Sequence, residues 1–64
     1  MFKFLLMYAF VASPGYQLNA VNVVGGFRSH GDCLSFAAGV AADLKRNPYY
    51  VKGSGTYQCE PEQQ

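Results

Sequence analysis

The side chains in this sequence whose type and spacing could do chemistry centre on Cys33, Cys59 and His30, with Ser29, Asp32 and Ser35 near the histidine. Two cysteines permit one intramolecular bridge with no ambiguity of pairing, and Cys33–Cys59 is the expected disulfide. Closing that loop stabilises a chain by ~3.5 kcal/mol in the chain-entropy picture. Two free buried thiols are the bland alternative. A thiolate of lowered pKa at Cys33, near a helix start, would serve redox or nucleophilic work. Its partner lies twenty-six residues on, unlike the close pair of a thioredoxin-type site. A zinc site normally takes four nitrogen or sulfur ligands. Two Cys and one His, far apart, do not supply them, so no metal or cofactor is expected.

His30 is the only histidine. A general base needs a nucleophile and an orienting acid in register with it, and nearness of Ser29, Asp32 and Ser35 in sequence is not that geometry. Four acids, two of them at Glu60 and Glu62, give no carboxylate pair of the glycosidase kind. Gly25-Gly26 before a helix and Gly53-Ser54-Gly55 resemble anion-binding turns, but neither has a Walker lysine or a full Gly-x-Gly-x-x-Gly set. Both read as ordinary turns. The sequence therefore predicts no enzyme and no small-molecule substrate.

The elements that hold these residues are few. Sixty-four residues make one domain, 1–64, that buries only ~60% of its unfolded surface and needs a staple or a partner. Half the residues are apolar and ten are aromatic, which argues against disorder. A net charge of +1 without a basic cluster leaves no electrostatic footprint for nucleic acid.

The helix from Phe27 to Leu44 organises the chain. Ser29 is the expected N-cap, with Asp32 three residues on. Cys33, Phe36, Ala37, Val40, Ala41 and Leu44 form an apolar stripe at helical spacing. Lys45 and Arg46 suit the last turn, and Asn47-Pro48 stops it. Ser35, Ala38, Gly39 and Ala42 lie opposite the stripe. All are small, so another backbone could approach there, or they simply suit a helix. Tyr49 and Tyr50 are the other candidate interface residues, as an exposed aromatic pair. The plainer reading puts one ring in the core and one at the surface.

The N-terminal run MFKFLLMYAFVA is too short to span a membrane as a helix. Its lysine and apolar stretch also fit a secretory signal ending near residue 20. A continuous apolar run equally marks a strand buried on both faces, and this is the reading adopted. Ser13-Pro14-Gly15 is a turn signal. Residues 16–24 then alternate as a second strand, with Leu18, Ala20 and Val24 on one face and Val21 and Val23 on the other. Gly25-Gly26 is expected to end it. Tyr49-Tyr50-Val51 can be extended, Gly53-Ser54-Gly55 turns, and Thr56–Cys59 reads as a last strand. Residues 60–64 form a polar tail that Pro61 takes out of the ladder.

The order is β-β-α-β. A right-handed crossover places the last strand parallel to the second, with the first between them. The expected fold is α+β: a three-stranded sheet of order 2-1-3 with one helix on one face. The opposite face would carry Phe, Leu or Met side chains with nothing of the chain over them. Exposed apolar surface of that kind predicts a protein partner or self-association, with membrane contact less favoured.

An apolar opening strand, Phe27-x-Ser29, Cys33 followed by Ala37 and Ala38, and Cys59-x-Pro61 together resemble short uncharacterised proteins of tailed bacteriophages. The resemblance covers nearly the whole chain. It implies a bridged β-β-α-β fold and an accessory role, as a minor virion component or an inhibitor of a host factor, in host cytoplasm or virion. The alternative is a secreted or periplasmic disulfide-stapled protein with residues 1–20 as its signal.

Overall fold

The computed structural model describes residues 1–62. β1 spans Phe2–Ser13, β2 Tyr16–Phe27, α1 His30–Arg46 and β3 Thr56–Pro61. The sheet has the order β2-β1-β3, and both neighbours run antiparallel to β1. The N-terminal apolar run is therefore the central strand. A chain beginning near Val21 would lack it, and β2 and β3 would have nothing between them.

Pro14 at the first corner and Gly15 at φ 76° at the second turn β1 into β2, the residue pattern of a type II turn. Across the hairpin the pairing runs from Leu5↔Val23 to Val11↔Gln17 without interruption. Gly25-Gly26 does not end β2, contrary to expectation. The strand continues to Phe27, with a register shift between Phe4↔Val24 and Phe2↔Phe27. Two glycines oppose one residue there, and Gly26 sits at φ 88°. This is a β-bulge, the other structural use of glycine in a strand.

β3 is also longer than expected. Pro61 pairs with Phe2, and the Glu62 N–H donates to the Met1 carbonyl at 2.8 Å. Proline lacks only a donor, and at the end of an edge strand that loss falls outside the ladder. The expected tail at 60–64 is thus ladder through Pro61, while Gln63 and Gln64 lie outside the described residues. The Glu62 carboxylate accepts the Gly26 N–H at 2.5 Å, tying the chain end to the bulge of β2.

α1 begins where its cap was expected. Ser29 is extended, and its Oγ accepts the Asp32 N–H at 3.0 Å. At the other end Asn47 leaves helical geometry before Pro48, and its side-chain oxygen accepts the Tyr49 N–H at 2.9 Å. The helix sets Cys33 and Ala37 against Phe4 and Leu6 of β1, and these four are the buried core. Phe2, Tyr8, Phe27, Val40, Leu44 and Cys59 pack around them. Phe36 is partly exposed but lies edge-on to Phe4, with ring centroids 5.4 Å apart, and 5.2 Å from Phe27.

Cys33 and Cys59 are bonded, with Cα atoms 6.0 Å apart. The bridge joins the first turns of α1 to the middle of β3, opposite Phe4. Among the described residues only four are buried, so this crosslink carries a large share of the burden that a bigger core would take.

The outer edge of β1 beyond β3 is closed by the loop after the helix. Val11 N–H donates to the Tyr49 carbonyl at 2.8 Å, and Val51 N–H to the Ala9 carbonyl at 3.0 Å. Between them the Ala9 N–H is taken by Ser54 Oγ at 3.0 Å, while the same hydroxyl donates to the Val51 carbonyl at 2.6 Å. Ser54 replaces a strand residue with a side chain. The Gly53-Ser54-Gly55 segment is thus a ladder patch.

Candidate functional site

Alternation along β1 decides which side chains meet the helix. Even-numbered residues do: Phe4 and Leu6 are buried in the core, with Phe2 and Tyr8 beside them. The odd-numbered ones, Leu5, Met7, Ala9 and Val11, point the other way. Through the pairings Leu5↔Val23 and Met7↔Val21, β2 adds its two most exposed valines to this second face. β3 adds Gln58 and Thr56 through Leu5↔Gln58 and Met7↔Thr56. No Phe of β1 lies here, which corrects part of the expectation: Phe2, Phe4 and Phe10 share the parity of the helix side.

The surface that results is apolar at its centre. Met7 is 52%, Val21 62% and Val23 59% exposed, with Leu5, Ala9 and Val11 half-buried between neighbours. Gln17, Asn19, Gln58 and Thr56 rim it. At one end Lys3 and Glu60 face each other across β1 and β3, 3.9 Å apart, and neutralise each other. Among the described residues nothing covers the centre of this face, as the exposure of Met7, Val21 and Val23 shows; at the Lys3 end the Glu62 side chain reaches across β1 to Gly26. An apolar sheet face with a polar rim is suited to pack against another apolar surface.

The other residues singled out are dispersed. Ser35, Ala38, Gly39 and Ala42 are exposed on the outer side of α1, and a Cβ at Gly39 would meet nothing within 4 Å. Tyr49 is exposed. Tyr50 is half-buried, 6.3 Å from the Tyr8 ring, and its hydroxyl accepts the Gly55 N–H at 2.9 Å. The pair thus splits into one surface ring and one structural ring. A groove beside them is lined by Tyr8, Phe10, Val11, Asn47 and Tyr49.

Of the residues with chemical potential, Ser29 serves the helix cap, its Oγ accepting the Asp32 backbone N–H, while the side chains of His30, Asp32 and Ser35 are exposed. Cys33 and Cys59 are oxidised together, so neither is a thiol nucleophile in this state. The His30 ring lies 5.4 Å from that of Phe2, at the exposed start of the helix. Among the described residues no three His, Cys, Asp or Glu side chains converge as metal ligands. No described helix is long and apolar enough to cross a membrane.

Fold and surface define a class: a small disulfide-bridged α+β domain whose sheet is covered on one side only. Comparison with family models, curated proteins and solved structures finds no match to this chain.

The role of Ser54 was not visible in the sequence. A serine between two glycines reads as turn composition, and only the register of β3 leaves Ala9 needing a partner. The open face was foreseen as a surface, but its residues depend on the parity of β1, which the helix settles.

Proposed function

We propose that this chain is a non-enzymatic protein-binding module that works by laying its open sheet face on a partner. The observation that supports this is the apolar centre of that face, formed by Leu5, Met7, Ala9, Val21 and Val23, with no part of the described chain over it. The phage-protein resemblance supplies a setting. There the module is an accessory protein, either a minor virion component or an inhibitor bound to one host factor. The self-neutralising Lys3–Glu60 pair argues against a highly charged partner such as nucleic acid.

The test is affinity capture with crosslinking, comparing the natural chain with Met7→Lys. Lysine at a half-exposed, outward position leaves the core alone but sets an unpaired charge in the middle of any contact. Capture of one protein in near-equal amount by the natural chain, lost in Met7→Lys, is the expected result. Unchanged capture by the variant would remove the face from consideration. Co-purification with particles separates the virion role from the inhibitor role.

The Cys33–Cys59 bridge favours a second reading, in which the same module acts in an oxidising compartment, secreted or periplasmic. That reading requires residues 2–13 to be retained, because they are the central strand.

A further inference from the structure

The two edges of the sheet are unlike. β3 is six residues long and ends in Glu60 and Pro61, both of which discourage another strand from pairing there. β2 is twelve residues long, contains no proline, and lies in a stretch from Phe4 to Phe27 without a single charged residue. Of the devices that blunt an edge strand, it has the bulge at Gly25-Gly26 and, at the hairpin end, the register shift between Val11 and Ser13 of its neighbour, which leave Gln17 to Val24 regular. Apart from the Gly26 N–H, none of its backbone groups has a partner outside the β1 ladder among the described residues. The helix does not shield it either. Phe27 alone of β2 joins the core cluster, and Leu18 and Val24, on the helix side, remain more than a third exposed.

The dimensions point the same way. The chain is a slab of 41 × 22 × 14 Å with a radius of gyration of 13.0 Å, where a compact chain of this length has about 10.7 Å. Its accessible surface is 4693 Å², roughly 650 Å² above the scaling for a monomer of this mass. One partner in a standard interface contributes about 800 Å².

We infer that β2 pairs antiparallel with β2 of a second copy across a two-fold axis, giving a continuous six-stranded sheet. A two-fold contact uses the same edge of both copies and closes. The edges left at the two ends are then the β3 strands, which are the protected ones. Near the axis the exposed Val21 and Val23 of one copy meet their equivalents, and no like charges are opposed. On the helix side Leu18, Ala20 and Val24 of each copy line a seam between the two helices. This contact lies along the edge of the sheet, and the open face stays free for whatever covers it.

Sedimentation equilibrium of the purified chain, joined to hydrogen exchange, tests this. The expected species has twice the 7.0 kDa mass of the chain and dissociates on dilution. In it, the alternate β2 amides that do not bond to β1 are protected, and they lose protection as the dimer dissociates. Asn22→Lys places a lysine on the helix side of β2 in both copies. It should weaken association about fivefold, with the circular dichroism of the dissociated chain unchanged. A monomer at high micromolar concentration overturns the inference. So does a dimer whose β2 edge amides exchange as in the monomer, since the copies are then stacked through the open face. Should Asn22→Lys alter the dissociated fold, Leu18→Glu gives the same reading, and a natural-strength dimer in a folded Leu18→Glu chain also overturns it. Partner capture that depends on Met7 is unaffected by either result, so failure here and failure of the face reading are separable.

Discussion

Removal of the Cys33–Cys59 bridge perturbs this fold severely without changing its packing surface. The bridge closes a loop of 26 residues, and freeing such a loop in the unfolded chain costs about 3.5 kcal/mol of stability. A domain of this length has roughly 3–10 kcal/mol in total. The crosslink is therefore between a third and the whole of it. The structure gives no compensation, because the buried core is only Phe4, Leu6, Ala37 and Cys33 itself. Urea unfolding followed by circular dichroism, with and without reductant, reads the effect. Reduction keeps both sulfurs in place and isolates the crosslink, while Cys33→Ala with Cys59→Ala adds the loss of packed volume. Reduction should cost about 3.5 kcal/mol, equivalent to ~14–28 °C in Tm. The slope with urea should rise, because the uncrosslinked chain exposes more surface on unfolding. Equal midpoints for the oxidised and reduced chains would refute the claim that this loop carries the small core.

Other substitutions probe single contacts. Ser54→Ala leaves the part-buried Ala9 N–H without its acceptor and should cost about 1–3 kcal/mol, with faster exchange of that amide; unaltered exchange would show another acceptor. Gly55→Ala puts a Cβ 2.6 Å from the Tyr50 hydroxyl. It should destabilise, and Tyr50→Phe in the same chain should recover part of the loss, so additive effects would disprove the clash. Gly39→Ala enters open space on the outer face of α1 and should stabilise by about 1 kcal/mol through helix propensity. A loss of stability there would mean that the outer face is not free in the folded chain.

The parts of the fold that were legible in the sequence are those set by local chemistry. Ser29 caps, the stripe turns Cys33 and Ala37 into the core with Val40 and Leu44 beside them while Phe36 stays at its edge, Asn47-Pro48 stops the helix, and Pro14-Gly15 turns the hairpin. The strand order followed from two facts together: an opening run apolar from Phe4 to Ala12, and a crossover that sets the last strand parallel to the second. What stayed hidden depends on pairing. Gly25-Gly26 has the same composition as a terminator and as a bulge, and only the register against Lys3 distinguishes them. Pro61 looks like an exit from the ladder until the register shows it opposite Phe2, next to the bonded pair Met1 and Glu62, where its missing N–H would have faced away from β1. Tyr49 and Tyr50 are identical in type, and the loop geometry alone sends one to the surface and the other against Gly55. For the candidate surface, the existence of an uncovered face was legible from counting layers. The absence of phenylalanine from it was not, because parity within a uniformly apolar strand has no sequence marker.

The central claim is that the face bearing Met7 is open in the isolated chain and covered when the protein works. Peroxide oxidation read by mass spectrometry tests it most directly, with the exposed Met1 as internal reference. In the purified chain Met7 should oxidise at a rate comparable to Met1. In the complex recovered with its partner Met7 should be protected while Met1 still reacts. Equal oxidation of Met7 in both states would contradict the account.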